Sequence, residues 1–530
     1  MIEFIKCFLI VVLFSIAGIV EAHVATIDAK TCSREDVQAA IDAANDGDTV
    51  KVPAGECTWT AQVKIGEIIW TTPATYKSKR ITLQGAGTDK TIITDEIPKN
   101  GREAEILLRA FGVEGKSFRI TGFTIRGGAT DIGWNGAIAI GGTSKSWRID
   151  HIKFENLKTR AIRIGGNTYG VIDHNIFNLS TSAIYASYSG DSSWNSPLSL
   201  GTEEAVYMED NVFDFASAAS SASIDAGGGA RYVFRYNMTN STAINHGTET
   251  TGRSRSAFSY EVYNNTFANT QEWWSAMHFR GGTGVIFNNT LTGYGALAHV
   301  ANYRDSTVFK FWGACDGTSP YDRNDGITYD SGTHSGTDAS RNLVDNRREW
   351  NPDQWRGYSL HNTVTGNSGI ILSNTQNTIT TASNQYATSL TFNNGDGYKI
   401  LRASVCLDQV GRSTGNLLSN YDPPLPQEWP QQILAPLYEW SNTLNGVNAD
   451  IKSDSPHIRK NRDFYTIPDS RVGPLSALPP TCIPYEGYFA TDENTLYKCT
   501  APDTWTAYYT PYKYPHPLTV NNPPRRLRFE

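Results

Sequence analysis

Charge is scarce in this chain. Asp, Glu, Lys and Arg make up 19% of its 530 residues, against about 25% in an ordinary soluble domain. The balance is acidic, with a formal net charge of −7. A broad nucleic-acid-binding surface needs a basic excess, so that class is excluded. Helical periodicity is missing from about residue 120 to 310, as is the Glu, Lys, Leu and Ala enrichment of long helices and coiled coils. No C-x-x-C pair occurs among the 7 cysteines, so structural zinc is not expected. The apolar run Cys7–Val20 is shorter than the roughly 20 residues that span a bilayer. Aromatic residues reach 11%, which excludes a disordered chain.

What is present is glycine, 46 residues of it, together with much Asn, Thr, Ser, Tyr and Trp. Such a composition serves many turns and many backbone hydrogen bonds, and it predicts an all-β protein. Lys6, the apolar run and the small-residue site Val20-Glu21-Ala22 read as a signal peptide over 1–22. The mature chain is then expected to be secreted, periplasmic or extracellular, with no membrane contact after cleavage. Six cysteines remain, an even count that suits disulfides in an exported protein. Proximity favours Cys32–Cys57 and Cys482–Cys499, leaving Cys315–Cys406, although six cysteines allow about 15 connectivities.

The chain repeats. The windows Ile149–Phe154 (IDHIKF), Ile172–Phe177 (IDHNIF), Met208–Phe213 (MEDNVF), Phe234–Thr239 (FRYNMT), Val262–Phe267 (VYNNTF) and Ile286–Leu291 (IFNNTL) align. Ile120–Ile125 is an earlier relative and Ser359–Val364 a weaker copy. A spacing near 25 with tolerated insertions is the mark of a solenoid. The fourth position holds Asn175, Asn211, Asn237, Asn265, Asn289 and Asn362. A buried amide needs its donors and acceptor paired, so these predict a ladder in which each Asn bonds to the next. Asn264 and Asn288 also open glycosylation acceptor triplets, which the repeat explains better.

Ahead of each window lies a short apolar strand ending in a Gly-rich turn, such as Ala161-Ile-Arg-Ile-Gly-Gly and Met277-His-Phe-Arg-Gly-Gly. Side chains alternate faces along a strand. With Ile138, Ile162, Ile184, Ile224, Ile244 and Met277 inward, the outward row is Ala139, Arg163, Tyr185, Asp225, Asn245 and His278. Strands stacked about 4.8 Å apart make that row contiguous. The first unit needs a cover for its open core and edge. Val37, Ala40, Ile41 and Ala44 follow helical spacing after Ser33 and Asp36, which together resemble a capping box. The fold class read from these patterns is an all-β parallel solenoid with an N-terminal capping helix and an irregular C-terminal segment.

AAIDAANDGDTVKVPAGECTWT (39–60), ITLQGAGTDKTII (81–93) and Trp147-Arg-Ile-Asp-His151 resemble the right-handed parallel β-helix superfamily typified by pectate lyases and related polysaccharide lyases. The resemblance covers roughly residues 30–310. The calcium-binding aspartate pattern of pectate lyases and the NTD, DD and GHG motifs of polygalacturonases are absent. The resemblance implies a polysaccharide lying along an outer sheet face, where the polar row stands.

The turn after the row holds His246, Glu249, Arg253 and Arg255, with Arg280 one unit on and Arg231 and Arg235 one unit back. Asp225, His246, Glu249, Arg253 and Arg280 are the candidate catalytic residues. Arg163, Tyr185, Asn245, Arg255, His278 and Trp274 are the candidate substrate-binding residues. Adjacent Trp273 and Trp274 point to opposite faces, so one is free to stack on a sugar. A lyase acting on a uronate needs cations to neutralise the carboxylate and a base for the adjacent carbon acid. Arg253, Arg255 and Arg280 suit the first task, and His246, Tyr185 or a desolvated Arg the second. A glycoside hydrolase needs two carboxyl groups, for which Asp225 and Glu249 are the pair. A non-catalytic carbohydrate-binding surface protein is the third reading. The arginine excess favours the lyase, working as a monomer on a uronic-acid polymer.

The expected division is a β-helix over 23–420 with a solvated insertion at 313–345, then a Pro- and aromatic-rich segment over 421–530 packed on the solenoid. Asp322-Arg-Asn-Asp-Gly resembles a calcium loop but lacks EF-hand spacing. No cofactor is required by the pattern, and Ca2+ is the one candidate.

Overall fold

The computed structural model describes residues 24–69, 75–99, 105–128, 133, 135–187, 190–216, 222–245, 256–301, 327–355, 358–381, 390–401, 410–414, 433–453 and 458–520. Within them the chain is mostly β and builds two large parallel sheets, one of 21 strands and one of 10. The pleat explains the arrangement. Short strands with alternating apolar residues cannot bury their inner face alone, but stacking one repeat on the next buries all of them.

One repeat shows the path. Ile184–Ser187 lies in the ten-stranded sheet, Val206–Glu209 and Val212–Phe215 in the larger one, and Ala222–Gly227 returns beside Ile184–Ser187. The first positions of the aligned windows meet in register: Ile149 with Ile172, then Met208, Phe234, Val262 and Ile286. The last positions stack as rings, with Phe154 to Phe177 at 5.0 Å and Phe177 to Phe213 at 4.6 Å. One continuous apolar core runs from Ala29 to Phe464.

The corner between the two strands of the larger sheet is made by a left-handed residue followed by the ladder asparagine. His174, Asp210, Tyr236, Asn264 and Asn288 have φ between 51° and 57°, a region that Asn, Asp and His tolerate best among residues with a Cβ. The next residue's amide pairs with the following turn: Asn175 Nδ2 donates to Asn211 Oδ1 at 3.0 Å, Asn211 to Asn237 at 3.0 Å, Asn237 to Asn265 at 3.2 Å and Asn265 to Asn289 at 3.0 Å. The final partner of Asn289 is Asn442, at 2.9 Å, and not Asn362. Ser359–Asn362 belongs instead to a six-stranded sheet whose pairings are antiparallel. There Asn362 Nδ2 donates to Thr391 O and Asp396.

That smaller sheet has its own core, including Leu343, Trp350, Leu360, Phe392 and Ile400. It is inserted between two consecutive turns of the parallel stack. Leu437–Trp440 pairs parallel with Thr283–Phe287, and Ile451–Ser453 pairs parallel with Ala298–Val300. The expected break from the repeat at 421 is therefore displaced, because strands beyond it re-enter both sheets. Part of the expected insertion at 313–345 is strand: Thr328–Thr333 and Asn342–Val344. The calcium-like loop at Asp322 and the pair Cys315–Cys406 lie outside the described residues, as does the expected signal peptide. Among the described residues no group of three or more His, Cys, Asp or Glu side chains is placed to hold a metal. No helix among them is long and apolar enough to cross a membrane.

At the N-terminal end, the helix Arg34–Ala43 buries Val37, Ala40 and Ile41 in the common core. Ser33 Oγ accepts from Asp36 N at 3.2 Å. The other half of the expected box does not form, because Asp36 Oδ2 takes the Thr31 hydroxyl at 2.6 Å. Cys32–Cys57 and Cys482–Cys499 are bonded. The C-terminal residues form a four-stranded sheet and pack Phe489, Leu496 and Tyr509 onto Tyr207, Tyr263 and Trp440 of the larger sheet's outer face.

Candidate functional site

The ten-stranded sheet carries the polar row on its outer face, and its register defines the row's members. Reading across the pairings, the positions level with one another are Lys64, Arg109, Ala139, Arg163, Tyr185, Asp225, Ile244, His278, His299 and Lys452. Most of these strands carry an apolar–X–apolar triplet, as in Ile162-Arg-Ile and Met277-His-Phe; the exceptions are Ala243-Ile-Asn and Ile451-Lys-Ser. The apolar members enter the core and the middle residue faces out.

Asn245 does not belong to this row. An irregularity between Ala222 and Ile224 sets Ala243 opposite Ile224, so Ile244 is level with Asp225 and Asn245 with Ala226. A slip of one residue exchanges the two faces of a strand. Four members escaped the expected list: Lys64, Arg109, His299 and Lys452. Their strands lie outside the aligned windows, but Val63-Lys-Ile, Leu108-Arg-Ala and Ala298-His-Val show the same triplet.

Two clusters form along the row. In the first, Arg160 Nη2 donates to Asp225 Oδ2 at 3.1 Å, and its guanidinium lies 4.4 Å from the Tyr185 ring centroid. Tyr185 and Asp225 are direct neighbours across the strands. Arg163, one strand before Tyr185, donates to Asn135 Oδ1. In the second cluster, His278 and His299 are paired neighbours. The Trp274 ring sits 4.9 Å from the His278 ring and 4.6 Å from the His299 ring, while Trp273 packs against the core. Arg280 follows the strand Met277–Phe279 directly, two residues after His278. Tyr185 and His278 are three strands apart, about 14 Å, so the clusters address different points of an extended ligand.

Asp225, His278 and Arg280 are buried, whereas Arg163, Tyr185, Trp274 and His299 keep partly exposed surface. A buried carboxylate is sustained only with a partner, and Arg160 is one for Asp225. Both Arg231 and Arg235 leave the expected cluster. They project from the larger sheet, where Arg231 donates to Pro197 O and Ser193 O, and Arg235 to Glu209 at 2.8 and 2.6 Å. Glu261 is also on that sheet, accepting from Gly201 N and the Tyr509 hydroxyl. His246, Glu249, Arg253 and Arg255 lie outside the described residues.

The described row therefore combines two arginines, two lysines, two histidines and a tyrosine with one carboxylate, and Arg160, Trp274 and Arg280 lie close to it. No protein-family model matches the sequence, and no curated protein matches it. Among solved structures, an alginate lyase from Paenibacillus sp. str. FPU-7 is similar at 11% identity and a TM-score of 0.26, over 52% of this chain and 91% of that one. At that score the likeness bears on neither fold nor chemistry.

Proposed function

We propose that the chain is a right-handed parallel β-helix enzyme, exported from the cell, that cleaves a uronic-acid polysaccharide by β-elimination along the ten-stranded face. The helix Arg34–Ala43 caps the stack, the six-stranded sheet between Thr328 and Leu401 forms an insertion, and residues 467–520 cover the opposite face. The disulfides accord with an oxidising compartment. The observation that carries the function is the charge pattern of the row and its immediate neighbours: Arg109, Arg163, Tyr185, His278 and His299 in the row, with Arg160 and Arg280 beside it, against the single carboxylate of Asp225.

That pattern suits elimination. A base takes the proton from the carbon beside the uronate carboxylate, the bond to the glycosidic oxygen breaks, and a carbon–carbon double bond forms. The departing oxygen receives a proton. The carboxylate must be neutralised as charge develops, which a forked guanidinium does best. Arg280 serves there, with His278 and His299 as proton carriers within one strand spacing of each other. Arg160, Arg163 and Tyr185 hold another sugar of the chain, about 14–19 Å away. A glycoside hydrolase needs two carboxyl groups about 5–9.5 Å apart; among the described residues the row holds one.

The test is incubation with a panel of uronate polymers while following the ultraviolet absorbance of the conjugated double bond. Rising absorbance is expected on at least one. No rise on any uronate, together with new reducing ends on neutral glycans, would overturn the assignment. Silence in both assays would leave a carbohydrate-binding protein.

A further inference from the structure

The row does not stop at the candidate site. Towards the N-terminal end it runs through Arg163, Ala139 and Arg109 to Lys64, and Lys64 also lines a cleft of about 550 Å³. The walls are the helix Arg34–Ala43, the Glu67–Ile69 and Thr75–Lys77 hairpin, and Lys116. Four lysines line the cleft, Lys64, Lys77, Lys79 and Lys116, against the carboxylates of Asp42 and Glu67. In a chain with a net charge of −7, this is a local reversal of sign.

The four ammonium groups are not equivalent. Lys79 Nζ donates to Ile41 O, Asp42 O and Ala44 O at 2.7, 2.7 and 2.9 Å, so it is engaged in capping the helix's C-terminal carbonyls. Lys64 and Lys77 share Glu67 at 3.4 and 3.7 Å, and Lys116 pairs with Asp46 at 2.9 Å. Their side chains remain 44%, 70% and 46% exposed. Exposed pairs of this kind are weak, and an arriving anion competes with them. One carboxylate shared by two lysines leaves positive charge for a ligand.

We propose that this cleft is a distal subsite for a carboxylated sugar unit of the same polymer that lies along the row. The inference rests on the functional reading above and extends it: it gives the polymer a direction, along the strand-stacking axis, and a minimum reach. Lys64 is three strands from Arg163 and seven from His278, about 14 and 34 Å. Only a long oligomer touches both the cleft and the reaction centre.

The test is calorimetric binding of short and long uronate oligomers, and of the same oligomers with their carboxyl groups reduced, to the wild type and to the double variant Lys77→Ala/Lys116→Ala. Both side chains are exposed, and circular dichroism checks the fold. The expected result is about three- to tenfold weaker binding of the long carboxylated oligomer, from two exposed ion pairs. Short and carboxyl-reduced oligomers should be unaffected. Unchanged binding of the long oligomer by the variant would overturn the subsite and leave the enzyme reading standing. Equal losses for short and long, or for reduced and carboxylated, would overturn it too. No binding of any carboxylated oligomer by the wild type would sink the subsite and the functional reading together.

Discussion

Glu261 offers the sharpest test of how the C-terminal cover is held. It stands on the outer face of the larger sheet, 2% exposed, accepting from Gly201 N at 2.7 Å and from the Tyr509 hydroxyl at 2.7 Å. Burial pushes its carboxyl from 4.5 up to about 7, against the opposing pull of those two donors and Arg235. A carboxyl whose folded pKa exceeds its unfolded one binds its proton more tightly when folded. Its contribution to stability is complete below about pH 4.5 and is lost as pH rises to about 7. At 1.36 kcal/mol per pKa unit the loss is about 3 kcal/mol. Glu261→Gln keeps the shape and a hydrogen-bonding amide but cannot ionise. The variant should match the wild type near pH 4.5 and exceed it by about 3 kcal/mol near pH 7.5. Urea unfolding of both proteins at the two pH values measures this. Glu439, also raised to about 7 by burial, and His516, lowered to about 4 by burial and Arg235, enter both proteins alike and cancel in the comparison. A difference between the proteins that does not change with pH would refute the reasoning.

Other consequences follow from the same geometry. Asn237→Ala removes an acceptor for Asn211 N and Nδ2 and a donor to Met208 O and Arg235 O. It should cost about 3 kcal/mol in denaturant unfolding, while Asn178→Ala on the exposed face should stay within about 0.5 kcal/mol. His278→Ala and Arg280→Lys should each lower kcat/KM on the uronate substrate by about 100-fold or more with the fold intact by circular dichroism. Activity of either variant within a factor of about 2 of wild type would remove that residue from the reaction centre. Trp274→Ala should raise KM several-fold and leave kcat nearly unchanged. Deleting residues 472–530 strips Tyr207, Tyr263 and Trp440 of their cover, and the shortened chain should bind a hydrophobic dye and aggregate.

Much of the scaffold was legible because its rules are local. An inward apolar residue, a left-handed corner and an amide that bonds to its own copy one turn on recur in Ile172–Phe177, Met208–Phe213 and Val262–Phe267 with little dependence on the rest of the chain. The ladder's last member was not legible. Asn442 follows Asn289 by 153 residues, and the interposed sheet offered Asn362 as a nearer imitation. The candidate row was legible wherever one apolar residue could be inward. It failed at Thr242–Asn245, where Ala243 and Ile244 competed and the smaller residue took the core position through an irregular pairing. Arg231 and Arg235 were grouped with the row by their closeness in sequence, but the intervening turn carries them to the other sheet.

The amino-acid order by itself determined the type of unit and its stacking, since period, turn chemistry and amide self-pairing act over a few residues. The tertiary structure alone decided which distant residues become neighbours. It placed Leu437–Trp440 against Thr283–Phe287, set His299 beside His278, buried Arg235 and Glu209 against the segment Tyr512–His516, and joined Lys64 to the end of the row. Those outcomes depend on register and on where an insertion leaves and re-enters the stack, and no local propensity encodes either.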